Sequence, residues 1–178
     1  VQATAEIGLI GLGTMGAALA LNIAEKGFPV AVFNRTAEKT RAFHKGAGVL
    51  ADKVIPCETL QALVAAIRAP RAIILMVTAG EGVDSQIAAL RPLLGPEDII
   101  IDAGNANFRD TNRRMGEAGQ QGWRFLGIGV FERDHFTVLR LVVRVVTHRS
   151  ALVQLGFLGR FGGQTSHEVI NHATLRRH

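Results

Sequence analysis

A chain of 178 residues that is 48% hydrophobic can bury one good core, yet no apolar run in it reaches the roughly 18 residues a membrane-spanning helix needs. Its single cysteine, Cys57, excludes an internal disulfide, and the opening VQATAEIGLI has neither the basic region nor the cleavage site of a secretion signal, so a cytoplasmic setting is expected. The net charge of +5 would suggest a nucleic-acid partner if it were spread over the chain, but residues 1–130 carry 13 Lys and Arg against 12 Asp and Glu, while residues 131–178 carry 7 against 3. The excess sits in a tail that has no lysine and five of the six histidines. That break in composition divides the chain into a domain over 1–130 and a basic tail over 131–178.

From the N-terminus, the apolar run from Ile7 reads as a strand that leads directly into Gly11, Gly13 and Gly16. These give G-x-G-x-x-G between a strand and a helix, the context in which the pattern binds a dinucleotide. Gly11 permits the tight turn, Gly13 lets backbone approach a pyrophosphate, and Gly16 lets helix pack on strand. The anion is expected at the N-terminus of the helix that starts near Thr14, where free N–H groups and the helix dipole favour negative charge. That helix runs from Thr14 to Lys26, with Ala18, Leu21 and Ala24 spaced to face a sheet and Gly27 closing it.

Val30 to Phe33 reads as the second strand, ending in Asn34-Arg35-Thr36. An acidic residue at this place would accept ribose hydroxyls of NAD, whereas arginine suits the 2′-phosphate of NADP. No carboxylate is present, Arg35 offers a permanently charged donor fork, and Asn34 and Thr36 offer neutral hydrogen bonds, so the cofactor is read as NADP. Thr36 is placed to cap a helix over Ala37–Lys45, which Gly46 and Gly48 close before a short strand at Val49 and Leu50. Pro56 and Thr59 open a helix over Leu60–Ile67, and Arg71 to Val77 is a strand apolar after its first residue, as a parallel strand covered on both faces should be.

The Thr78-Ala79-Gly80 loop follows, at the carboxyl end of the sheet, where open α/β folds bind ligands. A helix over Val83–Leu94 leads to a buried strand at Ile99–Asp102, whose end carries Ala103-Gly104-Asn105. Asn105 either projects into the same crevice or shapes the turn. A helix over Phe108–Gln120 places Arg109, Arg113 and Arg114 mostly outward, and a strand at Arg124–Val130 completes the alternation. The fold class is α/β, a Rossmann-like, doubly wound and mostly parallel sheet.

The segments IGLIGLGTMG, VFNRT, PRAIILMVTAG, VDSQIAALRPLL, DIIIDAGN and FRDTNRR, in this order and spacing, resemble the N-terminal cofactor domain of the NADP-dependent 6-phosphogluconate dehydrogenases over about residues 5–130. The resemblance implies oxidative decarboxylation of 6-phosphogluconate to ribulose 5-phosphate, with hydride passing to NADP. It also implies that Gly11, Gly13, Thr14, Met15 and Gly16 line the pyrophosphate and nicotinamide end, and that Asn34, Arg35 and Thr36 hold the 2′-phosphate. Val77, Thr78 and Ala79 would contact the cofactor, and Asn105 would touch both nicotinamide and substrate. The chain departs from the family at Thr78, where lysine is common, and at Ala103, where the turn has glycine. It departs again at Phe131-Glu132-Arg133, which stand where a Ser-Gly-Gly substrate loop is usual. The family's catalytic all-helical domain, with its lysine base, is expected to be absent from these residues: Lys26, Lys39, Lys45 and Lys53 match none of its positions, and no catalytic residue is assigned. Two other readings stand beside this one, a non-catalytic NADP-binding module and a related 3-hydroxyacid dehydrogenase.

In the tail, His167 and His172 of HEVINH are five apart and lie about 140° from each other on a helix, so they do not form a zinc pair and no metal is expected. Arg133, Arg140, Arg144 and Arg149 are interleaved with valines rather than clustered, which argues against nucleic acid. The expected partner is therefore the small-molecule substrate, with neither membrane nor nucleic acid, and the oligomeric state stays open because the family dimerises largely through its helical domain.

Overall fold

In the computed structural model, which describes residues 4–128, strand and helix alternate from end to end. Strands β1 (Ile7–Ile10), β2 (Val30–Phe33), β3 (Val54–Cys57), β4 (Ala72–Leu75), β5 (Ile99–Asp102) and β6 (Arg124–Gly127) form one sheet in the order β3-β2-β1-β4-β5-β6. Every pairing is parallel, with Leu9 opposite Val32 on one side and Ile74 on the other. Helices α1 (Thr14–Glu25), α2 (Ala37–Gly46), α3 (Leu60–Ala66), α4 (Glu81–Leu90) and α5 (Phe108–Gln121) make the connections. This is the doubly wound order of a Rossmann sheet, as the alternation of elements predicts.

The apolar strands bury both of their faces. Side chains alternate across a strand, so Ile7 and Leu9 join one core layer with Val30, Val32, Ile74 and Ile101, while Ile10 joins the other with Ala31, Ile73, Leu75 and Ile100. α1 covers the first layer through Leu19, Ala20, Ile23 and Ala24, and Phe43 of α2 packs beside them. α3, α4 and α5 cover the second through Leu63, Val83, Ile87, Leu90 and Ala118.

Three expectations are corrected. Of the expected core face of α1, Ala24 is buried and the half-buried Leu21 packs against the core, whereas Ala18 is only half-buried; the fully buried stripe is Gly16, Leu19, Ala20, Ile23 and Ala24. Val49 and Leu50 belong to a 3-10 helix over Gly48–Lys53, and the third strand lies later, at Val54–Cys57. Pro56 therefore sits within a strand instead of opening a helix. The sheet edge tolerates it, since an edge strand has a bare side on which a missing N–H costs nothing. α4 stops at Leu90, and Arg91–Leu93 continue as a 3-10 turn with Pro92 inside it. Thr59 caps α3 as its position predicts, its Oγ1 accepting from the Ala62 N–H at 3.0 Å. Among the described residues no helix is long and apolar enough to cross a membrane. The tail readings, from Gly129 through the arginines to HEVINH, lie outside the described residues.

Candidate functional site

The sheet order reverses between β1 and β4, and the loops at the carboxyl ends of these strands and their neighbours lie where such sheets form their ligand crevice. The β1–α1 turn is one of these loops. Gly11 holds φ at +100°, and its N–H donates to Phe33 O at 2.9 Å, pinning the turn to β2. A Cβ on Gly11 would collide with the Met76 carbonyl, and one on Gly16 would collide with the Gly11 carbonyl, so both glycines are required by the protein's own packing. Gly13 differs: a Cβ there would meet nothing within 4 Å. Its backbone is extended, it is exposed, and it borders space that the protein leaves open.

α1 starts at Thr14 with no side-chain cap and no acidic residue in its first turn. Its leading N–H groups thus remain available to an anion approaching over Gly13. Thr14 is exposed and Met15 half-buried, packed on the core beneath.

At the end of β2 the Asn34 carboxamide turns inward. Its Oδ1 accepts from the Leu12 N–H at 3.1 Å, and the Asn34 backbone N–H donates to the buried Thr40 Oγ1 at 3.1 Å. Asn34 therefore ties the glycine turn to the β2–α2 loop. Arg35 and Thr36 are exposed, and Arg35 has no hydrogen-bond or ion-pair partner among the described residues. Thr36 occupies the N-cap position of α2, but its hydroxyl makes no capping bond, contrary to expectation, so it too faces outward unpaired.

On the other side of the switch point, Val77 is half-buried while Thr78 and Ala79 are exposed in the loop after β4. The turn after β5 lies against that loop: Ala103 N–H donates to Leu75 O at 3.0 Å, and a Cβ on Gly104 would come 3.2 Å from Val77 O. Asn105, next in the chain, is exposed, and its side chain has no partner among the described residues. The sequence-predicted residues thus fall on the loops along one edge of the sheet and, for Thr14, Met15 and Gly16, on the first turn of α1.

Sequence reasoning missed the group beneath this edge. Arg114, expected outward, is 1% exposed, and Asp102 at the end of β5 is equally buried. The Arg114 Nε donates to Asp84 Oδ1 at 2.8 Å, Nη1 to Asp102 Oδ2 at 3.4 Å, and Nη2 to Gly80 O at 3.0 Å. Arg113, one residue earlier, reaches both Asp84 oxygens at 3.0 Å from outside. Arg114, with Arg113 behind it, holds the Asp84 carboxyl below the usual carboxylate range, whereas burial pushes Asp102 above it despite the opposing Gly104 N–H and Arg114. One signal was available in the sequence: Arg114 lies four residues before Ala118 on the buried stripe of α5, and Asp102 ends a run of isoleucines, so two opposite charges stand where apolar residues belong.

Chemically, the crevice offers backbone donors, a free guanidinium, hydroxyls and a free carboxamide. All four lysines lie elsewhere, on α1's C-terminal cap, α2 and the 3-10 helix before β3.

The family described as the NAD binding domain of 6-phosphogluconate dehydrogenase matches residues 6–131. The decarboxylating 6-phosphogluconate dehydrogenase of Synechococcus elongatus is 46% identical over 134 residues, which cover 72% of this chain and 27% of that protein. The Escherichia coli protein of the same name is 46% identical over 129 residues, 70% of this chain and 26% of that one. The chain thus spans about a quarter of the length of these relatives. Among solved structures, Plasmodium falciparum 6-phosphogluconate dehydrogenase, described apo, with NADP+ and with 6-phosphogluconate, superposes with a TM-score of 0.66 at 30% identity, over 80% of this chain and 33% of that one.

Proposed function

This chain belongs to the family of NAD binding domains of 6-phosphogluconate dehydrogenase, and on that premise we propose that it binds NADP as the cofactor part of an enzyme converting 6-phosphogluconate to ribulose 5-phosphate and carbon dioxide. Residues 1–130 form the cofactor domain in this reading. Bound NADP supplies the hydride acceptor. The pyrophosphate rests over Gly13 against the α1 N-terminus, where the open space and uncapped N–H groups fit it. Arg35 and Thr36 take the 2′-phosphate, with Asn34 fixing their loop to the glycine turn. Val77, Thr78, Ala79 and Met15 border the nicotinamide end, and Asn105 reaches both nicotinamide and substrate.

One observation carries the choice of NADP: the end of β2 presents an unpaired arginine and no carboxylate. We expect Arg35→Ala to weaken NADPH binding by about 1–3 kcal/mol, the usual worth of a hydrogen bond to a charged group, while NADH affinity barely changes. Titration calorimetry with both cofactors checks this, and equal losses for the two would overturn the 2′-phosphate assignment.

A second reading has its own observation. Among the described residues no lysine lies on the crevice loops, and the buried carboxylate beneath them, Asp102, is occupied by Arg114 and Gly104 N–H. We therefore assign the described residues binding and orientation of the cofactor, and no proton transfer.

A further inference from the structure

We propose that Arg114 is a positioning residue that sets the nicotinamide end of the crevice by clamping its two loops to a single planar group. The inference rests on the NADP reading above and extends it to a residue that touches neither cofactor nor substrate.

The loop after β4 ends at Gly80, which holds φ at +80° where the chain turns into α4. Its carbonyl accepts from Arg114 Nη2. The turn after β5 begins at Asp102, whose Oδ2 accepts from Arg114 Nη1 and whose Oδ1 accepts from Gly104 N–H at 3.1 Å. A continuous path therefore runs from the Gly80 carbonyl through the guanidinium and the Asp102 carboxylate to Gly104, the residue before Asn105. Thr78 and Ala79 stand at one end of that path and Asn105 at the other. Asp84, in the first turn of α4, fixes the remaining edge of the guanidinium at 2.8 Å.

The chemistry of the group fits this work better than it fits stabilisation. Burying a charged arginine against two carboxylates seldom beats an apolar side chain of the same volume, because desolvation offsets the Coulombic gain. A guanidinium supplies something an apolar group cannot, namely donors in fixed in-plane directions toward three acceptors on three separate elements. Lysine could not replace it, since a point charge holds no such fork. The adenosine end of the crevice is tied by other means, through Asn34 to Leu12 and Thr40, and among the described residues no side-chain hydrogen bond links that set to Arg114. The two ends of the site are thus held by separate networks.

That separation gives the test. The full 178-residue chain and its Arg114→Met and Asp84→Asn variants are titrated with NADPH and with adenosine 2′,5′-bisphosphate, which carries the adenosine end alone. Both variants should lose about tenfold or more in NADPH affinity, with the bisphosphate held within about twofold, because misplacing the loops affects only the part of the ligand they touch. The fluorescence enhancement of bound NADPH, which reports the surroundings of the nicotinamide, should fall in parallel. Should Arg114→Met fail to fold, Asp84→Asn decides alone, since Asp84 is 40% exposed and its loss leaves no buried void. Equal losses for the two ligands would mean a merely structural role, and unchanged NADPH affinity would mean no role; either overturns the proposal. Failure of the wild-type chain to bind either ligand would instead overturn the NADP reading itself, and the positioning role with it.

Discussion

Gly13 and Gly16 are the same residue type three positions apart, and the structure assigns them opposite reasons for being glycine. At Gly16 a methyl group would run into the Gly11 carbonyl, which belongs to the protein. At Gly13 it would enter open space, and the backbone there, at φ −68° and ψ −178°, suits alanine as well as glycine. We therefore expect Gly16→Ala to lower the melting temperature whether or not ligand is present. Gly13→Ala should leave stability unchanged or raise it by about 0.4–1 kcal/mol, since it restricts the unfolded chain, while NADPH affinity drops because the methyl group occupies the approach to the pyrophosphate. Thermal melts with and without NADPH separate the two effects. A Gly13→Ala variant that binds NADPH like the parent would move the pyrophosphate away from this turn.

Among the elements, those whose burial is written into local sequence were legible and those whose environment is set from a distance were not. β1, β2 and β5 fall where their apolar runs predict, because a parallel strand covered on both faces must be apolar throughout. α1 shows the limit of that rule: it is apolar nearly all round, so periodicity alone does not choose between the Ala18–Leu21 face and the Leu19–Ile23 face, and packing on the sheet decides. The third strand was displaced because Pro56 reads locally as a break, and only the sheet order reveals that it lies on an edge. Arg114 was signalled only by its spacing from Ala118 and by the charge that ends the β5 isoleucine run, since its partners sit 12 and 30 residues away on other elements. The bracket it forms between α4, α5 and β5 should show in the pH dependence of stability. The Asp84 pKa is lowered on folding, so its stabilisation is complete above its ordinary value of about 4 and is lost as pH falls through the folded value. The Asp102 pKa is raised on folding, so it takes up its proton at higher pH in the folded state, and acidification toward about pH 4 favours folding at that residue. Melting curves between neutral pH and about pH 3 should therefore flatten on their acid limb in Asp84→Asn, and lose a gain just above pH 4 in Asp102→Asn. An acid limb unchanged by Asp84→Asn would show that the ion pair to Arg114 contributes nothing to folding.

At the scale of the molecule, charge and ligand belong to different scales of the chain. Residues 1–130 carry nearly balanced charge, so no broad basic field draws an anionic cofactor in. In the proposed reading, recognition comes from the α1 N-terminus and Arg35, which are local and directional. Such a site stabilises the folded state by mass action alone. NADPH at about 100 times its dissociation constant should add about 2.7 kcal/mol, a rise in melting temperature on the order of 10 °C for a folded unit of this size. 6-Phosphogluconate meets a different situation, because the loops assigned to the cofactor offer it Asn105 and, among the described residues, no lysine. We expect it to shift the melting temperature little when added alone, and to yield no NADPH when mixed with NADP and the purified chain, the crevice having no free base to take the hydroxyl proton. NADPH formation under those conditions would place a base and a phosphate site on residues 129–178 or on a second subunit. A thermal shift with NADPH and none with 6-phosphogluconate would leave the chain with the cofactor's half of the chemistry: it holds the hydride acceptor in place, and the proton must be taken by groups that these loops do not carry.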